Sequence, residues 1–162
     1  MRTRTLSVAV MALLAASGAA SATEHSGHFY NSPSTKTKTT LPNGNISIQE
    51  QYYQLSRSDH AADPLSETAG NCFGNVITTK EGKVLSGSGF CYQQDDQGNG
   101  TTLSWKTDEV GTAKCPTECG TWRYVDGYGK FKGTTGNGTW VETRRFADGA
   151  SLGTFTGNYK TP

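Results

Sequence analysis

The chain has 162 residues, of which 33% are hydrophobic and 18% are charged, and its formal net charge is +1. This length suits one domain with a single core. A near-neutral charge lacks the basic excess with which nucleic-acid-binding proteins neutralise phosphates, so no nucleic-acid partner is expected.

The first 22 residues have the layout of a secretory signal peptide. Arg2 and Arg4 precede an apolar run from Leu6 to Ala16, and small residues follow through Ala22. The apolar run is too short to cross a bilayer, and no later stretch approaches the roughly 18 residues that a membrane helix needs. We therefore predict removal of residues 1–22, a secreted or periplasmic product and no insertion into the membrane.

Residues 23–34 lack an apolar period and are predicted to form a flexible leader before a domain of residues 35–162. If cleavage follows Ala22, His25 becomes the third residue of the mature chain. A free amine, two amides and an imidazole then suit Cu(II) or Ni(II), although a histidine at this position also occurs by chance. His25 is thus the one candidate metal ligand, and no cofactor is predicted.

From residue 35 onward, β-branched and aromatic residues alternate with polar ones between short turn signals. Asn43-Gly44, Glu81-Gly82 and Asp148-Gly149 each separate two such runs, which indicates two-residue hairpins. Seven or eight antiparallel strands result, enough for a sheet to close on itself. The predicted fold is all-β, an antiparallel meander closed into a barrel of about eight strands.

Four cysteines, an even number, are expected to form disulfides in an oxidising compartment, and three pairings are possible. Counting outward from a two-residue Glu81-Gly82 turn places Cys72 opposite Cys91. Directly opposed residues lie within disulfide range, so this pairing is favoured and leaves Cys115 to pair with Cys119.

Two glycine-containing segments resemble ion or phosphate sites but fit turn chemistry better. Residues 95–100, "DDQGNG", approach a calcium loop, yet its twelfth position is Lys106 where a bidentate glutamate is needed. Residues 127–140, "GYGKFKGTTGNGTW", lack the helix of a dinucleotide fingerprint, and Phe131 follows Lys130 where a phosphate-binding loop needs Ser or Thr. These glycines are expected to let strands bend and approach closely.

The segments "GTWRYVDGYGKFKGTTGNGTW", residues 120–140, and "SGSGFCYQQDDQGNGTTLSW", residues 86–105, carry a family resemblance. They resemble the glycine-rich strands of allene oxide cyclase-like and dirigent-like barrels, including secreted bacterial relatives, over roughly residues 70–160. The resemblance implies an eight-stranded barrel with a ligand-sized cavity. No catalytic motif of the family matches residue by residue, so no catalytic residue is assigned.

A two-residue Asp148-Gly149 turn places Trp140 opposite Gly157 and gathers aromatic and charged residues on one face. If that face points inward, Glu142 and Arg144 enter the lumen and orient a polar ligand head. The predicted ligand-binding residues are Trp105, Trp122, Tyr124, Trp140, Glu142, Arg144 and Phe155. Alternatively, the face with Val141 and Leu152 forms the core and the charges are solvated or form a structural ion pair.

The function predicted from these features is binding of a small apolar or amphipathic molecule in the lumen without catalysis. One alternative is an isomerase or cyclase that restricts a reactive substrate in the barrel. The other is a packed barrel that acts through its surface in the cell envelope. No residue pattern indicates an oligomeric state.

Overall fold

The computed structural model of the chain describes residues 22–108, 110–111, 115 and 118–162. The predicted signal peptide lies outside this range apart from Ala22, so its removal stays a prediction. The described strands are β1 (Thr23–Asn31), β2 (Thr35–Thr40), β3 (Ile46–Ser58), β4 (Glu67–Thr78), β5 (Val84–Gln94), β6 (Gly100–Thr107), β7 (Glu118–Tyr128), β8 (Thr135–Arg145) and β9 (Ser151–Lys160). A 3-10 turn, Gly129–Phe131, connects β7 to β8.

Eight of these strands form a closed antiparallel barrel. Hydrogen bonds run in the order β1-β9-β8-β7-β6-β5-β4-β3, and pairing of β1 with β3 closes the ring. The remaining strand, β2, pairs with β3 alone. The predicted all-β class and closed barrel of about eight strands are therefore confirmed. In the described part of the chain, no helix is long and apolar enough to cross a bilayer.

The prediction of a flexible leader over residues 23–34 is wrong, because residues 23–31 are β1. This strand pairs with β9 from Thr23 to Asn31 and with β3 from Gly27 to Asn31. Its inward positions are His25, Gly27, Phe29 and Asn31, of which only one is a large apolar residue. The usual alternation of a half-buried strand is therefore absent from the sequence, although burial alternates in the structure.

The chain leaves the barrel at Pro33, between β1 and β2. β3 is 13 residues long and pairs with β1 along residues 54–58 but with β2 along residues 46–51. Proline has no N–H for a sheet ladder, which suits a break at this point. As a result, β2 is an exposed arm that pairs with the first half of β3, outside the closed ring of eight strands.

The three predicted hairpin loops contain three residues rather than the predicted two, and the loop between β5 and β6 has the same form. In each, the first residue's N–H donates to the carbonyl of the fifth, and a glycine N–H at the fourth position donates to the carbonyl of the first. The glycine has a positive φ, which other residues rarely adopt. The loops with this pattern are residues 41–45, 79–83, 95–99 and 146–150.

Both predicted disulfides are present. Cys72 lies opposite Cys91 and is bonded to it. The predicted register holds despite the longer loop, because a β-bulge at the end of β4 compensates for the extra residue. Cys115, in the β6–β7 connection, is bonded to Cys119, the second residue of β7.

One row of paired positions crosses six strands and explains several of the glycines. From β4 to β9 it reads Gly74, Gly89, Trp105, Trp122, Gly138 and Gly157. The indole of Trp105 lies over the first two glycines, and that of Trp122 lies over the last two. A methyl group at any of the four would overlap the indole or neighbouring backbone. The glycines therefore let two tryptophans lie flat against the inner wall.

Candidate functional site

The lumen contains a cavity of about 100 Å³ that reaches from the buried interior to partly exposed residues at one rim. This volume is several times what one water requires. Six of the seven predicted ligand-binding residues line it, namely Trp105, Trp122, Tyr124, Trp140, Glu142 and Phe155. The aromatic face thus points inward, and the alternative core built on Val141 and Leu152, both exposed, is wrong. Their role in ligand binding stays a prediction.

The seventh predicted residue, Arg144, points away from the lumen. Trp140 pairs with Phe155 and not with Gly157, and a bulge lies between Glu142 and Arg144. Because the bulge adds one residue, the following side chain, Arg145, turns inward instead. Arg144 lies outside, with its guanidinium 4.8 Å from the Phe146 ring centre.

Charged side chains meet at the rim of the cavity in a group that we call the mouth cluster: Glu50, Glu118, Glu142 and Arg145. Arg145 donates to both oxygens of Glu142, at 2.8 and 2.6 Å, and to Glu118 at 2.6 Å. Lys36, on the exposed arm, lies 3.8 Å from Glu50. Together with Lys36, the mouth cluster therefore has three carboxylates against two cations.

The electrostatic state of the mouth cluster follows from partial burial. Burial raises the pKa of Glu50 and of Glu118, because a carboxylate loses hydration in the barrel wall. Hydrogen bonding to Glu142 raises the pKa of Arg145 against the opposing effect of its burial, so this guanidinium stays charged. Two of the acids thus favour a proton or a cationic neighbour at this rim.

Sequence reasoning missed Glu50 and Glu118, which lie on strands far apart in the chain. Glu118 pairs directly with Glu142 across β7 and β8, and Glu50 follows the inward alternation of β3. The alternation of inward and outward positions along each strand would have found them, because each glutamate occupies an inward position of its own strand. Using that alternation requires strand registers that only the closed barrel supplies.

At the opposite end of the cavity, four side chains form a buried group that we call the floor cluster: His25, Asp63, Tyr124 and Tyr159. His25 Nδ1 lies 2.8 Å from Asp63 Oδ2, and Tyr124 Oη lies 3.1 Å from His25 Nε2. Tyr159 donates to Asp63 Oδ1 at 2.7 Å. The Leu65 backbone N–H donates to the same oxygen at 2.8 Å. Three strands and the β3–β4 loop are thereby joined.

Asp63 is an anion at the centre of the floor cluster. Burial opposes its ionisation, but hydrogen bonds from His25, Tyr159 and the Leu65 backbone outweigh this and lower its pKa to about 2. Burial raises the pKa of Tyr124 and of Tyr159, so both hydroxyls remain protonated. The floor therefore holds one carboxylate whose charge is met by three donors.

The candidate metal role of His25 does not fit this arrangement. The side chain is 5% exposed, and its two ring nitrogens face Asp63 and Tyr124. A square of terminal nitrogens would need the imidazole free and the strand unpaired, whereas residues 23–25 of β1 are paired with β9. Across the described ranges, no group of His, Cys, Asp or Glu is arranged to hold a metal ion.

The loop that approached a calcium motif is also occupied by the protein itself. Lys130 Nζ lies 2.8 Å from Asp95 Oδ2, while the backbone N–H groups of Gln97 and Asn99 donate to Oδ1. The lysine ammonium lowers the pKa of Asp95 to about 2. This carboxylate therefore stabilises a turn and anchors the 3-10 segment.

Two indole groups at the cavity wall leave their donors unused. Among the described residues, neither Trp105 Nε1 nor Trp140 Nε1 has a hydrogen-bond partner, although both atoms are buried. Trp122 differs, because its Nε1 donates to the carbonyl of Thr139 at 3.2 Å. Buried donors without partners are rare in native proteins and call for a structural explanation.

No family model matches the sequence. No curated protein matches it either. Among solved structures, a pterocarpan synthase dirigent protein matches with a TM-score of 0.52 at 14% identity, over 86% of each chain. This similarity shows that the chain has the fold of a dirigent-like β-barrel, which agrees with the resemblance inferred from residues 120–140.

Proposed function

We propose that this barrel binds one small amphipathic molecule in its lumen and holds it in a defined orientation. The single observation that carries the proposal is the cavity, since all three tryptophans of the chain line it. A barrel of eight strands either fills its interior with side chains or encloses a small ligand. The cavity favours the second possibility over a packed barrel acting through its surface.

The two ends of the cavity determine which molecule fits. Aromatic rings along the wall suit a flat apolar body. The mouth cluster has more carboxylates than cations, so it favours a head group that donates hydrogen bonds, neutral or cationic, over an anionic one. The ligand class is therefore a small aromatic alcohol or amine.

We further propose that the protein acts outside the cytoplasm. The layout of residues 1–22 is that of a secretory signal, and two disulfides are compatible with an oxidising compartment. The resemblance to secreted allene oxide cyclase-like relatives points the same way. Expression with residues 1–22 intact, followed by N-terminal sequencing of the exported chain, tests this part through cleavage after Ala22.

An isomerase or cyclase is the second candidate function. The observation that favours it is the presence of carboxyl groups with raised pKa, Glu50 and Glu118, at one end of a chamber with aromatic walls. Such groups retain a proton closer to neutral pH and can supply it to a bound substrate. Its proposed substrate must first be bound, so the binding experiment addresses both candidates.

The experiment follows tryptophan emission while benzyl alcohol, benzylamine and benzoate are added separately. We expect a saturable change with one site, with benzylamine and benzyl alcohol bound more tightly than benzoate. Phe155→Ala, which removes a ring from the cavity, should alter the affinity. Phe90→Ala is the matched control, because that ring lies on the outer wall and is 47% exposed. Equal effects of the two variants, or no saturation, would refute luminal binding.

The polar end of the ligand is tested by a second matched pair. Arg145→Met removes the guanidinium that holds Glu118 and Glu142, whereas Arg144→Met removes its outward neighbour. We expect only the first change to alter the preference for benzylamine over benzoate. An equal change in both variants would place the head group outside the mouth cluster.

A further inference from the structure

The floor cluster contains a chain of three groups that simple binding does not require. Tyr124, His25 and Asp63 are linked in that order, with a hydroxyl against Nε2 and a carboxylate against Nδ1 of the same imidazole. Two of them, Tyr124 and His25, line the cavity, while Asp63 lies behind them. The three groups therefore lead from the lumen to the Asp63 carboxylate behind the cavity wall.

The positions of the protons follow from the charge on Asp63. Because this carboxyl is ionised, the facing Nδ1 of His25 must carry a proton and donate it. With the ring proton on Nδ1, Nε2 has a lone pair to which the Tyr124 hydroxyl donates. The phenolic oxygen of Tyr124 keeps lone pairs that can accept a hydrogen bond from a molecule in the lumen.

The surroundings hold this arrangement in place. The titratable groups that face His25 are Asp63 from the β3–β4 loop, Tyr124 from β7 and Tyr159 from β9, and its remaining ring contacts are Trp122 and Phe155. Tyr159 and the Leu65 backbone occupy the other oxygen of Asp63, so the carboxylate cannot turn away from the imidazole. An imidazolium formed here would lie against a carboxylate that is already ionised.

We propose that Tyr124, His25 and Asp63 form a proton relay that accepts a weakly acidic proton from a molecule bound in the lumen. The proton leaves an O–H group, or a C–H group beside a carbonyl, and its bonding electrons stay on the ligand. The ligand's proton bonds to Tyr124 Oη while the original hydroxyl proton of Tyr124 passes to His25 Nε2. The products are a ligand anion, a neutral tyrosine and an imidazolium paired with Asp63.

Returning the proton to a different ligand atom would complete an isomerisation with no oxidant or cofactor consumed. The raised pKa of Tyr124 is compatible with this role, because the tyrosine passes a proton along and is not left as a buried tyrosinate. The relay rests on the proposed luminal binding and adds an activity to it. It differs from the carboxyl groups of the mouth cluster, which lie at the other end of the cavity.

The experiment uses p-nitrophenol, whose phenolate has a visible absorption band that the neutral form lacks. Equilibrium dialysis measures uptake, and the spectrum of the bound probe measures its ionisation at a pH where the free probe is mostly neutral. We expect the ratio of phenolate to neutral p-nitrophenol to be about ten times higher for the bound probe than for the free probe. Tyr124→Phe and His25→Gln should each abolish this excess while uptake continues.

Tyr159→Phe is the matched control, since it removes a phenolic hydroxyl from the same cluster but leaves the relay itself in place. We expect the bound probe to stay largely ionised in this variant. Uptake of p-nitrophenol as the neutral species, or ionisation that survives Tyr124→Phe, would overturn the relay and leave luminal binding intact. Failure of uptake by the wild-type chain would overturn the proposed binding, and the relay with it.

Discussion

The two ends of the lumen use similar residues in opposite ways. At the floor, Asp63 accepts three hydrogen bonds and its pKa is lowered to about 2. At the mouth, Glu50 and Glu118 share two cations with Glu142, and burial raises their pKa. The difference shows that burial does not by itself decide how a carboxyl group ionises. The number of donors directed at it does.

This contrast also predicts which end of the lumen matters for folding and which for ligand preference. The floor joins β1, β7, β9 and the β3–β4 loop through buried side chains, so changes there should affect folding. The mouth lies at a rim where Arg145 is 44% exposed and where the chain leaves the barrel toward β2. Changes at the mouth should affect ligand preference more than stability.

The largest effect is expected from Asp63→Asn. This change leaves all three donors without a charged acceptor and at least one of them without any acceptor in a buried site, and should lower the free energy of unfolding by about 3 kcal/mol. Urea denaturation measures the loss. Asp59→Asn, on the same loop but with an exposed side chain, is the control and should change stability by less than about 0.5 kcal/mol. Equal effects would show that the floor cluster is not a structural centre.

A similar loss is expected from Gly89→Ala, in the wall between the two ends. The new methyl group would lie 2.6 Å from Trp105 Cζ2 and would overlap the Phe73 carbonyl, which costs about 3 kcal/mol or more. Gly87→Ala, two residues earlier, would meet only side-chain atoms, at 3.0 Å from Thr107 Oγ1 and 3.2 Å from Val76 Cγ2. Thermal unfolding should show a larger decrease in Tm for Gly89→Ala than for Gly87→Ala. The reverse order would contradict the packing of Trp105 against Gly89.

Stability should respond to pH with opposite signs at the two ends. Asp63 has a pKa below its unfolded value, so its contribution of about 2 kcal/mol is present above pH 4 and is lost as pH falls toward about 2. Glu50 and Glu118 have raised pKa values, so their contribution is present below their unfolded pKa and is lost as pH rises through the folded values.

Urea denaturation at pH 7, 5 and 3 measures this response. We expect the free energy of unfolding to rise slightly from pH 7 to pH 5 and then to fall at pH 3. Asp63→Asn should reduce the fall, and Glu118→Gln should reduce the rise. A steady decline from pH 7 that neither substitution changes would show that other groups dominate.

The smallest effect on stability is expected from Glu118→Gln. It is the same change from carboxylate to amide as Asp63→Asn, but it removes a charge whose ionised form burial disfavours. We expect the free energy of unfolding at pH 7 to change by less than about 1 kcal/mol, with either no loss or a small gain. A loss as large as that of Asp63→Asn would erase the distinction between floor and mouth.

Much of the barrel could be predicted from turn signals and alternation. The Cys72–Cys91 pair followed from counting along one hairpin. Alternation along the strands grouped the aromatic residues on one face, but the sequence left open whether that face points inward. Arg144 was misassigned because a bulge, which has no sequence signature here, exchanges it with Arg145. The floor cluster could not be predicted, because β1 presents His25 and Gly27 where a recognisable strand would present apolar residues.

The most direct test of luminal binding uses the indole N–H signals of the three tryptophans in ¹H–¹⁵N spectra during titration with benzyl alcohol. The account predicts that the signals of Trp105 and Trp140, whose donors are unused, move most as the cavity fills. The signal of Trp122, already bonded to Thr139, should move less. Three indole signals that stay still while backbone signals on the outer wall move would contradict binding in the lumen.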